Sequence, residues 1–212
     1  MGRKDKYSLI IDFAWYLDIL IQITLMHGTQ HGEEVKEQCI DISIRVISIR
    51  PYAVEVMLTL LLNYHLMDGV NMIVLNEVLK AAAWIVGEYS DILIKIIQDS
   101  SADDLTDDDN DSNDDDNDDD DNDENIYLIT GPNGHERRSN WKGLPLYNMI
   151  IDTLLHPRVY KLSSSIQSIY LQCILKVFIR ACLFDENSDN DVISQIITSF
   201  RTKLTVFLQV LY

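Results

Sequence analysis

Cysteine is scarce in this 212-residue chain: Cys39, Cys173 and Cys182 form no Cys-x-x-Cys pair. That spacing argues against a disulfide framework or a cysteine-built zinc site. Cys39 and Cys173 fall inside apolar helical patterns, which predicts buried free thiols in a reducing compartment. Long apolar runs are missing too, since no stretch approaches the ~20 unbroken apolar residues of a bilayer span. The N-terminus, Met1-Gly2-Arg3-Lys4-Asp5-Lys6, leads into an apolar stretch broken by Asp12 and Asp18, unlike a signal peptide. The expectation is a soluble cytosolic protein, in which the sequon Asn110-Asp111-Ser112 would be inert.

Catalytic and cofactor motifs are equally lacking. The histidines, His27, His31, His65, His135 and His156, are scattered without a His-Glu-x-x-His motif, and structural or surface roles are expected for them. No serine occupies a Gly-x-Ser-x-Gly elbow. Gly131-Pro132-Asn133-Gly134 has no Gly-Lys-Ser/Thr ending to hold phosphate, so it reads as a surface turn. Asp107, Asp109 and Asp111 alternate as at the start of a calcium loop. The sixth position of that loop is Ser112 instead of glycine, and the twelfth is Asp118 instead of glutamate. No enzyme, cofactor or selective metal site is expected, and no catalytic, cofactor or metal residue is assigned.

What is present is apolar mass and localised charge. Apolar residues make up 47% of the chain, enough for a large core. The formal net charge is -17, yet 16 acidic residues and no basic ones lie between Asp99 and Glu124. The remainder carries 18 acids against 17 Lys+Arg, close to neutral. No basic stripe points to nucleic acid. The Asp/Asn/Ser-rich segment 99–125 repels itself and has little to bury, so disorder is expected there. Its bland role is a solvated spacer. A basic partner could dock on it, whereas anionic lipid would be repelled.

The rest is periodic at helical spacing. Helices are expected at about 7–26, 33–49, 51–67, 74–86 and 89–98, then at 146–156, 164–183 and 190–211. Val35, Cys39, Ile42, Val46 and Ile49 form one stripe. Ile166, Ile169, Tyr170, Cys173, Val177 and Phe178 form another. Gly28 and Gly32 mark a turn, and Pro51 and Pro157 mark helix boundaries. Trp15 and Trp84 are expected in the core, while Trp141, beside Arg137-Arg138 in a loop, is expected at the surface. Arg45, Arg50 and Lys80 interrupt apolar helices, either paired with acids or facing solvent. A series of helices joined by short connections predicts an all-α fold, an α-solenoid of HEAT- or armadillo-like helix pairs. A closed bundle is the competing arrangement. The domain reading is a first trunk part at 7–98, a disordered Asp-rich insert and irregular loop at 99–143, and a second trunk part at 144–212.

The segment Glu77-Val78-Leu79-Lys80-Ala81-Ala82-Ala83-Trp84-Ile85-Val86-Gly87-Glu88 sets three alanines, which allow close backbone approach, beside one tryptophan. It resembles the signature helix of the adaptin trunk. Other segments resemble the delta large subunits of the third adaptor-protein complex in the same order. These are Phe13-Ala14-Trp15-Tyr16 with Leu20, Gly28-Thr29-Gln30-His31-Gly32, Asp41, Ile44-Arg45-Val46 and Ile49-Arg50. Beyond the insert, Pro157-Arg158-Val159, Ile166-Gln167, Tyr170, Gln172 and Lys176 continue the series. The resemblance covers roughly Phe13 to Gln98 and Leu154 to Lys176.

The resemblance implies a scaffold large subunit of a heterotetrameric vesicle-coat adaptor. Its implied partners are a beta large, a medium and a small subunit. Cargo tails and a small GTPase would be engaged through the whole complex. The implied location is cytoplasmic, peripheral on Golgi or endosomal membranes, with cargo sorted toward lysosome or vacuole. A full delta subunit is several times longer, so the chain is expected to be an internal stretch of trunk, and the Asp-rich insert sits where a loop is expected. The alternative from the residues alone is a generic HEAT/armadillo protein-binding module, although no Trp/Asn ladder repeats along the chain.

Overall fold

The computed structural model describes residues 10–26, 28–63, 72–95, 143–184 and 190–211. Every regular element among them is helical. Asp12 sets the start of α1 (Phe13–Leu25), because its carboxylate accepts the Ala14 and Trp15 amides at 2.9 and 3.1 Å. The helix expected from about residue 7 therefore begins later, at a side-chain cap. Gly28 takes φ +84°, a backbone conformation that a side chain would strain. The chain then enters α2 (Gly32–Arg45), whose first turn carries Glu33 and Glu34 at the positive end of the helix dipole.

The second helix was expected to run to Ile49, but α2 stops at Val46. A short 3₁₀ turn, Ile47–Ile49, then leads directly into α3 (Arg50–Leu62). Arg50 explains the break. Its Nε donates to the Ser43 carbonyl at 2.9 Å and its Nη2 to the Ile44 carbonyl at 3.0 Å, satisfying carbonyls at the end of α2. Pro51 occupies the first turn of α3 as expected. The third helix was expected to continue to Met67, but α3 ends at Leu62, where Asn63 leaves the helical conformation while its amide still reaches the Thr59 carbonyl; 64–67 lie outside the described residues.

Next come α4 (Met72–Glu88), longer at both ends than the expected 74–86, and a further helix described over 90–95 (α5). The expected insert 99–143 lies outside the described residues except for Gly143. That residue opens α6 (Gly143–Leu154). Pro157 ends the preceding run as expected, but it does so by starting a 3₁₀ turn, Pro157–Lys161. Gln167 holds that turn, with Nε2 near the carbonyls of Tyr160 (3.1 Å) and Leu162 (2.9 Å). Then follow α7 (Ser164–Phe184) and α8 (Asn190–Leu211).

The core is organised by α4. It packs against α2, α3 and α7, and Val78, Ala81, Ala82, Ala83, Ile85 and Val86 are wholly buried. Alanines on several sides of one helix let neighbours come close without displacing their side chains. Two glycines mark the tightest approaches. A Cβ on Gly32 would lie 2.5 Å from the Val74 carbonyl oxygen of α4, and one on Gly87 would lie 3.0 Å from Cys173 Cα of α7. The two stripes read from the sequence point inward: Val35, Cys39, Ile42 and Ile49 are buried, as are Ile166, Tyr170, Cys173 and Val177. Val46, Ile169 and Phe178 pack partly buried against them. Leu17 and Ile21 of α1 and Ile150 and Ile151 of α6 complete the same core.

Trp84 is half-buried and meets Tyr89 edge to face, centroids 6.3 Å apart. Trp15, expected in the core, is instead 59% exposed, because α1 buries the face carrying Leu17, Leu20 and Ile21. Trp141 lies outside the described residues.

Several polar groups at the helix crossings are matched. Tyr52 of α3 donates its hydroxyl to the buried Asp18 carboxylate of α1, at 2.7 and 2.8 Å from its two oxygens. Burial raises the Asp18 pKa, and the Tyr52 bond opposes that shift. The Tyr89 hydroxyl donates to the Ser43 carbonyl at 2.9 Å, and the Arg50 guanidinium lies 4.8 Å from the Tyr89 ring centroid. Arg45 pairs with Asp41 at 2.6 Å. Between α2 and α4, Glu77 receives Lys80 at 2.5 Å and Lys36 at 3.2 Å, and Lys36 also reaches Glu33 at 2.6 Å. Arg45 and Lys80 are therefore paired with acids, while Arg50 caps a helix. Burial alone would raise the Glu77 pKa. The hydrogen bonds and charges of Lys80 and Lys36 outweigh it and hold the carboxyl at about 2.

Two predictions follow from this packing. Gly32→Ala places a methyl against α4 backbone that cannot swing aside, so it lowers stability by about 1–3 kcal/mol in urea titration. Gly87→Ala, with its wider gap, costs less. The second concerns acid. A lowered carboxyl pKa contributes stability above the unfolded value of 4.5, and that contribution is lost as pH falls toward 2. The difference in stability between the wild type and Glu77→Gln therefore shrinks across that window. Asp18, whose pKa is raised, acts in the opposite sense in both proteins and cancels in the comparison. A difference that stays constant from pH 6 to pH 2.5 would remove the Lys36–Glu77–Lys80 cluster as its source.

Candidate functional site

No described part of the molecule gathers the groups that chemistry requires. Among the described residues no three His, Cys, Asp or Glu side chains converge to hold a metal ion. His31 precedes α2 with its Nδ1 3.9 Å from Glu34, and His156 accepts the Arg158 amide at 3.1 Å, so it serves the 3₁₀ turn. His27 and His31 are four residues apart in the sequence. His27, His65 and His135 lie outside the described residues, as do the Gly131–Gly134 turn and the aspartates considered for calcium.

The thiols are buried as expected. Cys39 and Cys173 are at most 2% exposed, and burial pushes both up to about 12, which leaves them unreactive at neutral pH. Tyr147 and Tyr170 are equally deep. Their hydroxyls lack a hydrogen-bond partner among the described residues, and burial raises both pKa values. The Glu77 cluster is no acid–base site, since each charge in it already faces an opposite one. An open depression beside Ser194, Gln195, Thr198 and Ser199 carries no titratable group.

The feature left for function is surface. α7 is covered on one side by α4, through Cys173 against Gly87 and Lys176 Nζ bonded to Glu88 at 2.7 Å. α8 is tied to α6 by Ser199 with Asn148 at 2.9 Å and by the Lys203–Asp152 ion pair. It meets α7 through the Phe178–Phe200 stack, centroids 4.1 Å apart. The opposite faces of both helices remain apolar and open: Leu175, Ile179 and Leu183 on α7 are 38%, 53% and 58% exposed, and Ile197 and Leu208 on α8 are 42% and 40% exposed.

The sequence reading identified the inner stripe of α7 and overlooked the outer one. The signal was present, because α7 is apolar around most of its circumference. By length and composition Ser164–Leu183 even matches a membrane span, with mean hydropathy 1.4, although Lys176 and Arg180 interrupt its apolar run. One side of it packs along α4 in this fold.

No protein-family model matches the chain. Individual relatives do. The AP-3 complex subunit delta of Dictyostelium discoideum is 30% identical over 176 residues, which is 83% of this chain and 11% of that protein. The AP-3 complex subunit delta-1 of Bos taurus is 42% identical over 89 residues, covering 42% of this chain and 7% of that protein. The AP-3 complex subunit delta of Arabidopsis thaliana is 38% identical over 86 residues, or 41% of this chain and 10% of that protein. The chain thus spans about a tenth of the length of these relatives. With every regular element among the described residues helical around the Glu77–Glu88 segment, and the same subunit matched in three organisms, the chain belongs to the adaptin large-subunit family, among its AP-3 delta subunits.

Proposed function

We propose that this chain is a stretch of the scaffold large subunit of a heterotetrameric AP-3-type adaptor complex. The role is structural, not catalytic: its surface positions a beta large, a medium and a small subunit, so that cargo tails and membrane contacts are presented together. Cargo tails and a small GTPase are engaged through the assembled complex. On this reading the protein works at the cytoplasmic side of Golgi or endosomal membranes and sorts cargo toward lysosome or vacuole.

The observation that carries the reading is the match to an AP-3 delta subunit along 83% of the chain. The fold supports it in kind. A tightly packed array of helices gives a rigid extended face, and such faces bind proteins. We read 7–98 and 144–212 as one trunk of HEAT/armadillo-like helix pairs interrupted by a spacer at 99–143. In its favour, α4 and α7 pack extensively across that interval, and α3 meets α6.

The test is affinity capture from the native source with the longest available form of the chain, followed by mass spectrometry at moderate salt. Recovery of one beta-type large subunit, one medium and one small adaptor subunit in similar amounts is expected. Their absence, with a lone peptide-bearing partner in their place, would shift the assignment to a general helical-repeat binding module.

A further inference from the structure

No further inference is drawn: the strongest candidate, the exposed apolar surface of α7 and α8 around Leu175, Ile179 and Ile197, carries none, because nothing in the structure shows what covers it.

Discussion

The constraint on which the structure depends is the close packing of α4. A helix touched by neighbours on three sides cannot present large side chains to all of them at ordinary inter-helix distances. Ala81, Ala82 and Ala83 resolve this by bringing neighbours in to backbone range, and Gly32 and Gly87 do the same from the two ends. The positions of α2, α3 and α7 are set by that helix, and α1, α6 and α8 attach to them in turn. This is also why a strongly acidic interval between α5 and α6 is compatible with the fold. The α4–α7 contact is made across it, so described helices on both sides of the interval share one core. Loop closure grows costly only slowly with length.

Charge in this molecule is sorted by location. Within the helices, carboxylates sit where a cation or hydroxyl already waits: Glu77 between Lys36 and Lys80, Asp18 against Tyr52, Asp41 beside Arg45. Such groups add little net energy at the surface but fix which helix faces which, because a wrong register would leave a partly buried charge unpaired. Arg50 does this most economically. One guanidinium ends α2, starts α3 and stacks on Tyr89, so the sharp corner between the two helices needs no glycine.

Much of this was legible in the sequence. Apolar periodicity located the helices and the inward stripes, and the Ala-Ala-Ala-Trp segment marked the helix at the centre. Three things were not legible, each for a physical reason. The break at Val46 depends on Arg50 reaching back to two carbonyls, a tertiary hydrogen bond that periodicity does not encode. Trp15 was assigned to the core by residue type, but the helix rotates to bury Leu17, Leu20 and Ile21 and leaves the ring outside. The outer ridge of α7 was overlooked because an apolar helix reads as buried all round, and only its neighbours decide which half stays open.

That open half bears on what kind of functional residue such a chain has. In an enzyme, function concentrates where titratable groups converge and their pKa values move. Here the groups with strongly shifted pKa values, Cys39, Cys173, Tyr147 and Tyr170, are buried in the packing itself, and Glu77 is locked between lysines. Their shifts report burial and pairing, and they offer nothing to a substrate. The uncommitted free energy lies instead in exposed aliphatic surface, where each large side chain withdrawn from water is worth about 1.5–3 kcal/mol at full burial. A rigid helix array stores that energy in a fixed geometry.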